Sequence, residues 1–127
     1  MRQILTPDEL RRGDLIPPGW YPTEIVDYEE KEAETDGSTN CFFHFKIVDG
    51  DQKGIVIRRL FNEKAFGFGK NLWAALELPY DNVRGYEFST ELFKQTIGHK
   101  VMVYVKRGKS NKGNEFNDAQ DFKKMGA

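Results

Sequence analysis

From Cys41 to Val48 the chain alternates with a period of two: Cys41, Phe43, Phe45 and Ile47 fall on one side, and Phe42, His44, Lys46 and Val48 on the other. This pattern predicts a strand buried on one face. The second side is chemically odd for a surface that merely meets water, since a solvated sheet ordinarily carries Thr, Ser or Glu there. An aromatic, a histidine and a lysine in alternate positions suit instead a base and its phosphate.

The same grammar extends in both directions. Residues 1–18 read as an arm with one short capped helix, Thr6 at the N-cap, Pro7 at the first helical position and Glu9 two residues later. Gly19-Trp20-Tyr21 opens a strand running through Tyr28 towards Glu32, and the polar cluster Thr35 to Asn40 turns the chain into the central strand. Asp49 to Gly54 makes the next turn. Ile55 to Phe61 is a third strand with Ile55 and Ile57 inward, and the Arg58-Arg59 pair interrupts its alternation, which predicts a bulge.

Helical spacing follows. Lys70 to Leu78 places Leu72, Trp73 and Leu76 on one face before Pro79, and a second short helix starts at Ser89 or Thr90, packs Leu92, Phe93, Thr96 and Ile97, and ends at Gly98. Val101, Val103 and Val105 then alternate with Met102, Tyr104 and Lys106. After the basic turn Arg107 to Asn114, a more polar strand spans Glu115 to Phe122. The predicted class is mainly β: a five-stranded OB-fold barrel over residues 19–124, with a helical insertion between strands 3 and 4 and a short tail at 125–127. Such a fold binds over strands two and three and the flanking loops, so the platform, the arginine pair and the basic turn are all expected on one surface.

Composition narrows the function. At 127 residues, with ten Phe, five Tyr and two Trp, the chain can bury one core without staples. The single Cys41, on the inward side, reads as a small core hydrophobe in a reducing compartment. One Cys and two distant His suggest no metal site, and no cofactor is expected. No apolar run approaches membrane-spanning length and no signal-peptide pattern opens the chain, so the expected location is the cytoplasm, or the host cytoplasm if the protein is phage-encoded. The net charge is only −1, but it is uneven: seven acids lie between Glu24 and Asp36 against Lys31 alone, whereas Lys106, Arg107, Lys109 and Lys112 follow one another with no acid between. A polyanion would meet the second stretch and avoid the first.

Several residues admit two readings. Arg58 and Arg59 can hold phosphates or pair with acids of the first strand. Phe42 and His44 can stack on bases or be covered by the arm or a helix, and Phe66 and Phe68 are expected to place at least one ring in the core. Gly67-Phe68-Gly69-Lys70-Asn71 lacks the spacing of a P-loop. The carboxylates Asp49, Asp51, Glu63, Asp118 and Asp121 are scattered over turns and strand ends, and no nucleophile motif is present, so an enzyme is not expected.

Gly19 to Glu32 (G-W-Y-x-x-E-I-x-D-Y-E-x-K-E), Phe43 to Gly50 (F-x-F-x-I-x-D-G), Phe61-Asn62, the L-x-x-A-L helix, Gly98 to Val105 (G-H-K-V-x-V-x-V) and the terminal N-D-x-x-D-F together resemble a family of small phage and prophage proteins. Many members are known only as a domain of unknown function, and the family is generally regarded as OB-fold single-stranded DNA-binding proteins of replication or recombination clusters. The resemblance covers residues 19–124. It stops short of the acidic tail by which bacterial single-strand binders commonly recruit partners, since this chain ends Lys123-Lys124-Met125-Gly126-Ala127.

The expectation is therefore a protein that binds single-stranded DNA with little sequence preference. Lys46, Arg58, Arg59, Lys106, Arg107, Lys109 and Lys112 would hold phosphates, and Phe42, His44, Phe61 and Tyr104 would supply stacking surfaces. The rival readings are a module for a replication or recombination protein and, further off, a small metal-dependent nuclease.

Overall fold

The computed structural model describes residues 14–78 and 91–125. Its strands are β1 (Gly19–Glu32), β2 (Thr39–Ile47), β3 (Val56–Asn62), β4 (Lys100–Lys109) and β5 (Glu115–Lys124), all antiparallel in one sheet of order β3-β2-β1-β4-β5. A 3-10 segment (Glu63–Gly69) and short helices at Lys70–Ala75 and Glu91–Lys94 lie between β3 and β4. The element order thus follows the sequence reading. Barrel closure does not: among the described residues no ladder joins β3 to β5, and they meet through side chains, Phe61 and Phe122 lying 6.1 Å apart between ring centroids. The arm helix around Thr6, Pro79 and the start of the second helix lie outside the described residues. Of the helical segments, none described is long and apolar enough to cross a membrane.

The inner face follows from alternation. Cys41, Phe43, Phe45 and Ile47 are fully buried beside Ile57, Val101, Val103 and Val105, and Trp73 and Phe93 cap them from the helices. The rings form one cluster: Phe43 lies 5.0 Å from Tyr28 and 5.3 Å from Phe93, and Phe93 stacks on Trp73 at 4.9 Å. Gly69 permits this packing, because a Cβ there would stand 2.5 Å from the Trp73 ring. The end of the arm is held too. Ile16 is buried, its N–H donating to Asn117 Oδ1 (3.0 Å) while Asn117 Nδ2 donates to the Asp14 carbonyl (2.7 Å).

Two of the expectations fail here, for one reason. The β2–β3 ladder runs from Asn40–Asn62 to Lys46–Val56 without a shift, so Arg58-Arg59 makes no bulge. Arg59 keeps the inward phase of Ile57 and Phe61. The breaks in register fall instead in β1, between Ile25 and Asp27, and in β5, opposite Tyr104 and Val105. An extra residue reverses which side chains face the core: before Val26 the inward residues are Thr23 and Ile25, after it Tyr28, so Asp27, Glu29 and Lys31 turn outward. A bulge is a property of pairing, and Arg59 is polar yet tolerated inward at the end of the sheet.

Phe68 is 82% exposed, so it is not a core plug, and the side chain of Phe66, the other candidate, lies outside what the structure describes. Cys41 is, as expected, a buried free thiol, and burial pushes its pKa up, away from thiolate chemistry.

Tyr28 yields a pH prediction. Burial first, then its hydrogen bonds with Cys41 and Glu30, hold its hydroxyl well above the ordinary tyrosine range. The folded state therefore keeps a proton that the unfolded chain releases above about pH 10. The associated stability is fully present below that pH and is lost as pH rises beyond it, by about 1.4 kcal/mol per pH unit. Thermal melts between about pH 9 and pH 11 should fall less steeply for Tyr28→Phe than for wild type; parallel curves would refute the assignment.

Candidate functional site

The outer face of β2 carries Phe42, His44 and Lys46, all half-buried, and register places Leu60, Arg58 and Val56 of β3 opposite them. Phe42 is the centre of this surface. The Arg58 guanidinium lies 4.0 Å from its ring centroid, and Lys31, brought outward by the β1 bulge, lies 5.8 Å away. Glu29, Lys31, His44, Val56 and Arg58 line an adjoining open cleft of about 480 Å³. An exposed cation–π contact is worth about 0.5–1 kcal/mol, whereas stacking a base on an aromatic is worth about 1–3 kcal/mol. A base can therefore displace Arg58 from the ring, and the freed guanidinium is then placed for a phosphate.

Other sequence candidates separate from this platform. Phe61 is 2% exposed and packs on Trp73 at 5.1 Å, so it is a core ring and offers no base a surface. Arg59 lies 4.8 Å over Phe61 on the inner side, and its covered Nε has no hydrogen-bond partner among the described residues. It does not share a face with Arg58. Tyr104, Lys106, Arg107, Lys109 and Lys112 belong to β4 and the turn beyond it, and the turn is closed by Ser110 N–H donating to the Asn114 carbonyl (2.9 Å). Gly19 pairs with Val105 while Glu29 pairs with Phe42, so ten residues of β1, on the order of 30 Å of strand, run between the levels of Val105 and Phe42. In register, Phe42 and the basic turn thus fall towards opposite ends of β1.

Between them the outer face of β1 is acidic. Glu24 faces Lys46 on one side and Lys100 on the other, but Asp27 and Glu29 stand beside His44, with one potential ligand atom from each of these three within 4.8 Å of the others. Two carboxylates and an imidazole form a donor set suited to a divalent cation. His44 Nε2 is covered and unpartnered among the described residues. The sequence offered no spacing that would reveal this set, since a bulge and a cross-strand register assemble it. The acidic β1–β2 loop is tied down, Lys64 Nζ meeting Asp36 at 2.7 Å and Thr39 N–H donating to Glu63 Oε1 at 2.6 Å. The Lys64 ammonium, with hydrogen bonds from Ser38, holds the Asp36 carboxyl below the usual range.

Residues that the pattern did not single out are Lys31, Trp20 and Lys123. Trp20 is 38% exposed, tilted against Tyr104 at 5.3 Å, with Lys123 Nζ 4.4 Å over its ring. Its place at the opening of a strand gave no phase from which to read exposure.

No match was found among curated proteins. A family model matches residues 8–127, and the chain thus belongs to the family described as DUF669, protein of unknown function.

Proposed function

We propose that this protein binds single-stranded DNA with little sequence preference, in phage DNA replication or recombination, through an OB-type face. The observation that carries the reading is the Phe42 ring, half-buried on the outer face of β2 with Arg58 at 4.0 Å and Lys31 at 5.8 Å, a stacking surface already accompanied by cations suited to phosphate. The strand order supports it: pairing β3 with β5 would close β3-β2-β1-β4-β5 into a five-stranded barrel, and OB barrels are often partly open. The resemblance to phage single-strand binders supplies the biological setting.

The Asp27, Glu29 and His44 donor set keeps a metal-dependent nuclease as a second reading. One gel-shift experiment with oligo-dT, with and without magnesium, separates the readings. Retardation in both lanes is the expected result; degradation with magnesium indicates the nuclease, and neither outcome indicates a protein partner on the platform.

A salt titration tests the phosphate contacts. Log K for oligo-dT should fall linearly with log[salt] at about −0.7 per neutralised phosphate, so three to five contacts give a slope of roughly −2 to −3.5. A flat response would remove Arg58 and the lysines from the binding role.

A further inference from the structure

We infer that the outer face of the β1–β4–β5 half is a second base-stacking station, formed by Trp20, Tyr104 and Phe116 with Lys106 and Lys123, for the same single-stranded DNA. This inference rests on the binding reading above. Register puts the groups on one face: Trp20 pairs with Tyr104, Tyr104 and Lys106 share a phase with Gly108, and Gly108 pairs with Phe116. Trp20 and Phe116 are 38% and 43% exposed. The Phe116 ring lies over Gly108, where a Cβ would come within 2.6 Å of it, so the residue that would crowd this ring is the one without a side chain.

Charge identifies the occupant. What covers these rings is cationic: Lys123 Nζ stands 4.4 Å over Trp20 and Lys106 Nζ 5.7 Å over Tyr104. The ladder also sets two carboxylates opposite these residues, Asp121 across from Tyr104 and Asp118 across from Lys106; Asp121 Oδ1 accepts from Asn71 Nδ2 (2.7 Å) and from the Phe122 N–H (2.8 Å), and Asp118 accepts from Gln120. A stacked base replaces the ammonium on the ring and leaves it for the neighbouring phosphate, the same exchange as at Phe42. The basic turn continues the patch. Because the acidic middle of β1 separates the stations, a strand must bridge them, and a long strand gains from both through effective concentration while a short one occupies either alone.

The two tryptophans give the test, since Trp73 is fully buried and Trp20 is exposed. Oligo-dT of about 16 and about 4 nucleotides, the two ends of the OB site-size range, is titrated against wild type, Phe42→Ala, Trp20→Ala and the Lys106→Ala/Lys123→Ala double variant. The long oligonucleotide should quench wild-type tryptophan fluorescence. Trp20→Ala should bind it about 5- to 150-fold more weakly with an unchanged melting temperature, and the lysine variant tests the station with Trp20 in place. Wild type should take up more of the short oligonucleotide per chain than either aromatic variant. Unquenched fluorescence at saturation, with Trp20→Ala and the lysine variant binding as wild type while Phe42→Ala binds weakly, would overturn this inference and leave the platform standing. Absence of any wild-type binding would overturn both.

Discussion

Phe43→Ala should cost about 3–5 kcal/mol, a large part of the roughly 5–15 kcal/mol that holds a domain folded. The ring is fully buried and lies within 6.2 Å, centroid to centroid, of Tyr28, Phe45, Phe61, Trp73 and Phe93, which come from β1, β2, β3 and both helices. No single neighbour can move in to fill the space without abandoning another ring. The melting temperature should fall by about 10 °C or more. Phe61→Ala should behave the same way, and that comparison carries the correction to its role: it should lose stability, yet bind oligonucleotide normally at temperatures where it remains folded. Weak binding by a fully folded Phe61→Ala protein would return that ring to the binding surface.

Phe42→Ala should do the reverse, weakening oligo-dT binding by about 1–3 kcal/mol. Its stability loss should be confined to the exposed contact with Arg58, about 0.5–1 kcal/mol. Arg58→Ala and Arg59→Ala, one residue apart, then test the phase of β3. Arg58 lies on the platform, so its loss should weaken binding and the effect should shrink at high salt, because counterion release carries it. Arg59 lies over Phe61 on the inner side, so its loss should leave binding unchanged. Thermal melting beside fluorescence titration at two salt concentrations reads both. Equal binding losses from the two arginines in folded protein would contradict the unshifted β2–β3 register.

What was legible in the residues was local. The alternation of Cys41 to Val48 is unbroken, so it gave the faces of β2 correctly, and with them the inward Phe43 and Phe45 and the outward Phe42, His44 and Lys46. The turns, the helical insertion and the order of the five strands were readable because turn chemistry and period are carried by adjacent residues. Tertiary pairing decided the rest. Val26 bulges in β1, which no nearby residue announces, and that one extra residue sets Lys31, Asp27 and Glu29 beside the platform. Arg59 reads as polar and outward until the continuous β2–β3 ladder holds it in phase with Phe61. Trp20, second in its strand, was exposed or buried only according to what β4 and β5 placed against it. The basic turn and Phe42 looked like one site because both suited a polyanion. Their separation is a matter of antiparallel register along β1, which depends on partners far apart in the chain and is summed over the whole sheet.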